Sequence, residues 1–439
     1  MTRAPEPQDV IPARRDAPPP RLAELAVRFA RPRVGDVVAA TRAAVDQVLA
    51  TIPLTDGAEV GVTVGSRGIT DIATISRAAI DALRARGARP FVIPAMGSHG
   101  GATADGQRRL LEHYGVTDET MGAPIRDEMA TRSLGRTPEG VEAFIAETAW
   151  SADGVLLLNR VKPHTDFKGV IESGLAKICA IGLGKYDGAR ECHGRIFDIG
   201  LGAAMRSAAV RVLASGKILG GVAILENAYH ETARIVPVAT AELFDVEERL
   251  LAEARSLMGR LPLDEIDVLI LDRMGKNISG AGLDTNVIGR SVYGYTQGVP
   301  WHPGLPLIRR IVVRDLTEES EGNAVGMGMV DFVPRRFAAK VDNEVTALNA
   351  VTARSPENAR WPIVAPTDRE CLRLALETSP QREGGAALVM HARDTLALDR
   401  VFASEACLPL LRGRDDVQVV GPAGPLRFDD DGGLVSPFV

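Results

Sequence analysis

The sequence predicts an α/β protein of two domains, with a mainly parallel sheet in the first and the active site in the cleft between them. Three observations carry that prediction. The chain has 439 residues, more than one hydrophobic core ordinarily serves, so two units of roughly 200 residues each are expected. Apolar runs of strand period alternate with runs of helical period, the pattern of βαβ units. Two of the strand patterns also end in near-identical loops, Gly65-Ser66-Arg67-Gly68 and Gly97-Ser98-His99-Gly100.

Residues 1–20, rich in Pro and Arg and without an apolar core, read as a mobile arm. Residues 21–259 are expected to form the N-terminal domain and residues 260–439 the C-terminal one, with the boundary where Gly259 and Pro262 end an amphipathic helix. Within the first, helical spacing runs from Val38 to Ile52 and strand alternation from Val60 to Val64. Thr70 is placed to cap a helix to about Arg86, and Phe91 to Ala95 is the next strand. Parallel strands joined by a helix bring their carboxyl ends to one edge, so Arg67 and His99 should share a crevice. A helix from Ala104 to Tyr114 follows, then the buried strand Val155 to Leu158, which runs into Lys162-Pro163-His164. Ile218 to Leu225 reads as a strand, and Ala241 to Met258 as a helix with Leu243, Leu250, Leu251, Ala254 and Leu257 on one face. The second domain is expected to use strands at Val268–Leu271, Ile311–Val313 and Ala387–Met390, with helices over Arg335–Ala350 and Asp368–Thr378. The last dozen residues, with three consecutive Asp from 429, read as a hairpin or tail.

Composition narrows the function classes. Hydrophobic residues at 45% and charged residues at 25% are ordinary for a globular enzyme. A net charge of -6 without a basic tract argues against nucleic acid as a partner. No apolar run has membrane length, and no export signal is recognised, so a cytoplasmic location is expected. Cys179, Cys192, Cys371 and Cys407 lack Cys-x-x-Cys spacing and read as buried, reduced thiols.

The chemistry concentrates in one window. Only seven of the 51 basic residues are Lys, and four of them, Lys162, Lys168, Lys177 and Lys185, fall within 24 residues. Lys and Arg are not interchangeable, so an Arg-rich chain that keeps Lys here marks a special requirement. Lys177 lies between Ser173-Gly174 and Gly182-Leu183-Gly184 in an apolar run, which favours the neutral, nucleophilic amine. The alternative is a Lys that snorkels to the surface or pairs with Glu172. The Gly runs could bring backbone close to an anion such as phosphate. Of seven His, three (His99, His164 and His193) lie past strand ends or in the window, and no zinc-type spacing joins them. Ser66 and Ser98 lack the full Gly-x-Ser-x-Gly of a nucleophile elbow.

The segments Gly97-Ser98-His99, Pro163-His164, Ser173-Gly174-Leu175-Ala176-Lys177 and His193, in this order and with 16 residues from the Lys to the last His, resemble the lactate racemase family of nickel-pincer-nucleotide enzymes. The resemblance takes in Arg67 and spans roughly residues 25 to 420. It implies a pyridinium-3,5-bisthiocarboxylic acid mononucleotide with nickel, held as a thioamide on Lys177. It implies His193 as the metal ligand, His99 and His164 as the catalytic acid/bases, and Arg67 as the contact to the substrate carboxylate. An amine can form that thioamide and a guanidinium cannot. A soft, sulfur-rich nickel centre suits an imidazole ligand. Inversion of a 2-hydroxy acid through hydride transfer and a 2-keto intermediate needs an acid/base on each face of the substrate.

Departures from the family pattern point away from lactate. Asp284-Thr285-Asn286 is present, but Gly289 and Val292 stand where lactate-specific members have Gln and Lys, leaving Arg290 as the substitute substrate-binding cation. Gly100 replaces an Arg and Leu175 a Gly, and three extra residues bring in Lys168 and Glu172. Lys162, Lys168 and Lys185 suggest a more anionic or larger hydroxy acid, or contacts to the cofactor phosphate, with Lys185 the cofactor-binding candidate. The expected partners are a small 2-hydroxy acid and cofactor-biosynthesis proteins, with neither nucleic acid nor membrane, and with homo-oligomerisation left open. Two other readings stand: a lysine enzyme forming a Schiff base with a carbonyl acid, and a non-catalytic anion-binding protein of the same fold.

Overall fold

The computed structural model describes residues 19–66, 68–294, 300–380, 382 and 386–438. Arg67 and residues 1–18 of the expected N-terminal arm lie outside them. The chain forms two compact α/β units: one is Ala30–Met258, and the other ends its first segment at Phe29 and resumes at Gly259.

The Ala30–Met258 unit is built on five strands in the spatial order Arg89–Pro94, Glu59–Val64, Gly154–Arg160, Ile218–Glu226 and Thr232–Ala239. The first four are parallel and the last antiparallel. Its strands are apolar at successive positions because both faces are covered. Val155 and Leu157 join a core with Phe91, Ile93 and residues of the helices Leu201–Leu213 and Leu243–Leu257. Leu156 and Leu158 join the opposite core with Val60, Val62 and the helices Val37–Val48 and Ile72–Ala85. Each such buried Leu contributes about 1.5–3 kcal/mol. Thr70 does not cap the second of those helices. Asp71, at φ 60°, takes the cap position without a side-chain cap bond, while the Thr70 amide donates to Glu226 at 2.8 Å and its hydroxyl to the His230 carbonyl at 2.6 Å.

The second unit has a mixed sheet with the order Ile363–Ala365, Phe332–Pro334, Leu307–Val313, Glu265–Leu271, Val389–Ala392, Arg400–Ser404, Arg21–Val27 and Val417–Val419. It is parallel from Ile363–Ala365 to Val389–Ala392 and antiparallel beyond. Arg21–Val27, expected in the N-terminal domain, therefore belongs here. Leu22 to Ala26 register against Ser404 to Arg400, and Leu25 and Val27 are buried with Leu261 and Val401. The helix expected over Arg335–Ala350 is two helices, Arg335–Lys340 and Asn343–Thr352. Asp342 breaks them by accepting from the amides of Glu344 and Val345, an N-cap in the middle of the expected run. At the tail, Phe428 and Leu434 pair across a turn whose amides at Asp431 and Gly433 donate to Asp429.

Candidate active site

In the Ala30–Met258 unit the chain leaves the strand Glu59–Val64 toward Arg89–Pro94 on one side, while Gly154–Arg160 lies on the other. Such a reversal opens a crevice outside the carboxyl ends of the strands, where ligands of α/β proteins bind. The loops carrying Ser66, His99 and His164 all leave this edge.

His99 Nδ1 lies 2.5 Å from Ser66 Oγ, across the two neighbouring strand ends. Around it the backbone is tightly held. Gln107, fully buried, donates to the carbonyls of Gly97 at 2.9 Å and His99 at 3.4 Å, and the Tyr114 hydroxyl donates to the Ser66 carbonyl at 2.8 Å. Gly100 has φ 66°, and a Cβ there would stand 2.5 Å from the Gly106 carbonyl carbon. An Arg at this position would require that turn to move.

Glu172, almost fully buried, organises the His164 loop. It accepts from the amides of His164 at 2.5 Å and Gly169 at 3.1 Å and from Arg255 at 2.7 Å. Lys168 donates to the His164 carbonyl at 2.7 Å and lies 3.6 Å from Glu172. The Glu172 carboxylate thus serves the loop, and Lys177 meets His164 instead. Lys162 pairs with Ser173 through the backbone, closing the base of the loop.

The protonation of the His164–Lys177 pair follows from its hydrogen bonds. The Asp166 amide donates to His164 Nδ1 at 3.0 Å, so the neutral ring carries its proton on Nε2. Nε2 lies 2.8 Å from Lys177 Nζ. The two side chains share one hydrogen bond at that position. The His164 ring is also stacked at a tilt on Phe167, with centroids 4.6 Å apart.

Lys177 ends a short helical turn, Leu175–Lys177, that passes directly into a π-helical turn, Ile178–Gly182, and then into the helix Lys185–Gly194. π turns are uncommon and concentrate at functional sites. Buried Ile178, Cys179 and Ala180 fix the segment in the core. At its start the Ala176 amide donates to Glu247 at 2.9 Å, and a Cβ on Gly174 would stand 2.4 Å from that carboxyl carbon. Burial pushes the Glu247 carboxyl up to about 7, although the Ala176 and Leu175 amides pull the other way. One of its oxygens, Oε1, has no hydrogen-bond partner among the described residues.

His193 Nδ1 lies 2.6 Å from the Ala189 carbonyl one turn earlier, so the neutral ring carries its proton on Nδ1. Among the described residues no three His, Cys, Asp or Glu side chains converge as a metal-binding group, so a metal held by His193 would take its other donors from a cofactor. A primary amine at Lys177 and an imidazole at His193 are donor types that fit a nucleotide cofactor of that kind. Cys179 and Cys192 are buried, and desolvation raises both thiols, Cys192 to about 12, so neither is a thiolate ligand.

Two expected contacts are structural instead. Lys185 is fully buried, with Nζ on the Pro94 carbonyl at 2.7 Å and Gln107 Oε1 at 3.3 Å. Burial lowers it to about 8, and through Gln107 it braces the His99 loop rather than binding a cofactor. Arg290 is 4% exposed and donates to the carbonyls of Met329 at 2.6 Å and Arg309 at 3.0 Å and to Asp331 at 2.7 Å. Those acceptors would be stranded if it turned to a substrate. The glycines also differ from expectation. A Cβ at Gly182 would meet the Ala95 carbonyl at 2.9 Å, and at Gly184 and Gly188 the Ala180 carbonyl at 2.4 and 2.5 Å. They serve close packing of the chain on itself, not an anion cradle.

Sequence reasoning missed Ser66 as the partner of His99, and it missed Gln107 and Glu247. Glu247 had a signal: it falls on the apolar stripe of its helix, between Leu243 and Leu250. Ser66 and Gln107 had none, because their contacts join segments 33 and 10 residues apart through the fold.

The class defined by fold and site is an α/β protein with a histidine-held lysine amine at the carboxyl edge of a parallel sheet. The solved structure of the lactate racemase apoprotein from Thermoanaerobacterium thermosaccharolyticum is similar to this chain, with a TM-score of 0.47 and 14% identity over 78% of this chain and 83% of that one. No protein-family model matches the sequence, and no curated protein does. No helix among the described residues is long and apolar enough to cross a membrane.

Proposed function

We propose that the protein is an isomerase, a racemase or epimerase of a 2-hydroxy acid, that carries a nickel-pincer nucleotide on Lys177. The observation that carries this reading is the 2.8 Å hydrogen bond between Lys177 Nζ and His164 Nε2, which holds the amine in place for acylation, a step that only its unprotonated form can undergo. The motif resemblance through His99, His164, Lys177 and His193 supplies the identity of the cofactor. When bound, the cofactor would accept hydride from the substrate's C2 and return it. His193 Nε2 would hold the nickel, and Arg67 the substrate carboxylate.

The two histidines then divide the proton chemistry unequally. His99 faces a hydroxyl, Ser66 Oγ, which can donate to a neutral ring or accept from a protonated one. Its charge can change without loss of a partner, so His99 takes the substrate hydroxyl proton. His164 faces the Asp166 amide at Nδ1, which opposes a proton there; it holds its proton on Nε2 for Lys177. Linkage would delocalise the Lys177 lone pair and leave the His164 Nε2 proton available to the substrate.

The test is intact-mass and nickel analysis of protein co-expressed with the cofactor-making enzymes. A mass increment mapped to Lys177 with one nickel per chain is expected, and an unmodified Lys177 would falsify the proposal. The same neutral amine favours a second reading, Schiff-base formation with a carbonyl acid. Borohydride trapping of a 2-keto acid on Lys177 without nickel would select it. Deuterium at C2 also separates the two, since hydride return retains it and proton abstraction exchanges it with water.

A further inference from the structure

Arg273 and Arg393 stand just past the carboxyl ends of the adjacent parallel strands Glu265–Leu271 and Val389–Ala392. The Arg273 amide donates to the Arg393 carbonyl at 3.1 Å, so the two residues are register neighbours. Both side chains reach one oxygen: Arg273 Nε is 3.0 Å and Arg393 Nε 3.2 Å from Asp394 Oδ2. Asp394 is buried, and its other oxygen accepts from the amides of Leu396 at 2.9 Å and Ala397 at 3.0 Å. The anchor is therefore rigid and already saturated.

The arginines are not saturated. Their side chains are 40% and 47% exposed, and each grips Asp394 through Nε alone, so the Nη donors of both have no partner among the described residues. Two guanidiniums against one carboxylate leave net positive charge at a strand edge of the kind where α/β sheets bind ligands. A purely structural bridge would need one Arg and would present its bidentate fork to the carboxylate. Here both forks are left over. The neighbouring carboxylates do not neutralise them: Asp272 is engaged by His391, Arg314 and Ser436. Asp284 is engaged by Asn286, and its amide donates to Thr395 at 3.1 Å, placing the polar segment 284–286 beside the pair.

We propose that Arg273 and Arg393 form a binding site for a small oxyanion, the carboxylate or phosphate group of a small-molecule ligand. The site stands whether or not the Lys177 reading holds. The test is isothermal titration calorimetry on the full chain with malonate and, separately, inorganic phosphate at low ionic strength. Saturable binding of at least one is expected, and which one binds tighter identifies the group. Arg273→Ala should weaken it at least tenfold. Arg393→Lys, which keeps the charge at a half-exposed position and loses the fork, should do the same. Arg412→Ala, at an exposed Arg of the same unit, should leave the affinity unchanged. No saturable heat with either anion, an unaltered affinity in Arg393→Lys, or equal weakening by Arg412→Ala would each overturn the proposal.

Discussion

Both units carry a parallel sheet with loops at its carboxyl edge, and they fill that edge with opposite chemistry. In the Ala30–Met258 unit the edge holds Ser66, His99, His164 and Lys177, joined by bonds in which a proton can change place. In the other unit it holds fixed charges. Arg314 bridges Asp272 and Asp368 and donates to the Leu434 carbonyl, and Arg336 meets Asp368 at 2.7 Å. Burial pushes the Asp272 carboxyl up, but His391, Arg314 and Ser436 outweigh it and hold it near 2. Matched permanent charges pin a tail well and transfer protons poorly. Neutral groups with ambiguous proton ownership have the reverse properties.

The largest effect that would break this contrast is expected at Lys177. Lys177→Arg keeps a cation and removes the amine, so turnover of the co-expressed enzyme should fall below about one-thousandth of wild type, with no mass increment. The thermal midpoint should stay nearly unchanged, and retained activity would erase the distinction between the two edges.

Next in size is Asp368→Asn, which removes one of the two carboxylates around the buried Arg314 and the ion-pair partner of the half-exposed Arg336. A loss of about 3–5 kcal/mol is expected in urea titration, with hydrogen exchange rising first at residues 428–438. Lys177 chemistry should survive wherever the protein remains folded.

pH sharpens the contrast, because the two edges respond with opposite sign. Glu247 has a folded-state value of about 7 against an ordinary 4.5. Its folded form therefore binds the extra proton, and the stability it contributes is full below 4.5 and lost as pH rises through 7. Glu247→Gln should remove that decline, worth up to about 3 kcal/mol between pH 4.5 and 8. Asp272 is depressed from 3.8 to about 2, so its contribution is present above 3.8 and lost as pH falls through 2. Hydrogen exchange mapped across pH should show protection around residues 174–178 lost on the alkaline side and around 434–438 on the acid side.

The smallest change is expected from Lys185→Met. It leaves the Pro94 carbonyl and Gln107 Oε1 without a donor but also removes a buried charge, so the net loss should be about 1–2 kcal/mol. A drop in kcat without a change in substrate KM would place the effect at the His99 loop that Gln107 holds.

Much of this was legible where the signal is local. The strands at Val60–Val64 and Ile218–Leu225 and the helix from Ala104 were readable because burial on one or two faces writes a period into the chain. The Lys-rich window and the positions past strand ends put forward Lys177, His99 and His164 as candidates. Partners were not legible. Nothing at Lys185 tells a buried brace from a phosphate contact, since both ask for a cation beside glycines. Arg290 likewise resembles a ligand-binding cation until Met329 and Asp331 are brought around it. The strand Arg21–Val27 was missed because it is short and its partners lie almost 380 residues downstream.

That strand has a consequence for the order of synthesis. It lies between Arg400–Ser404 and Val417–Val419 in the sheet, so it must wait for segments made almost 380 residues later before it has neighbours. Meanwhile Ala30–Met258, which closes its own sheet from contiguous sequence, can fold as it leaves the ribosome. A nascent chain stalled near residue 300 should therefore hold a protease-resistant core beginning close to residue 30, with the segment ahead of it still open to cleavage.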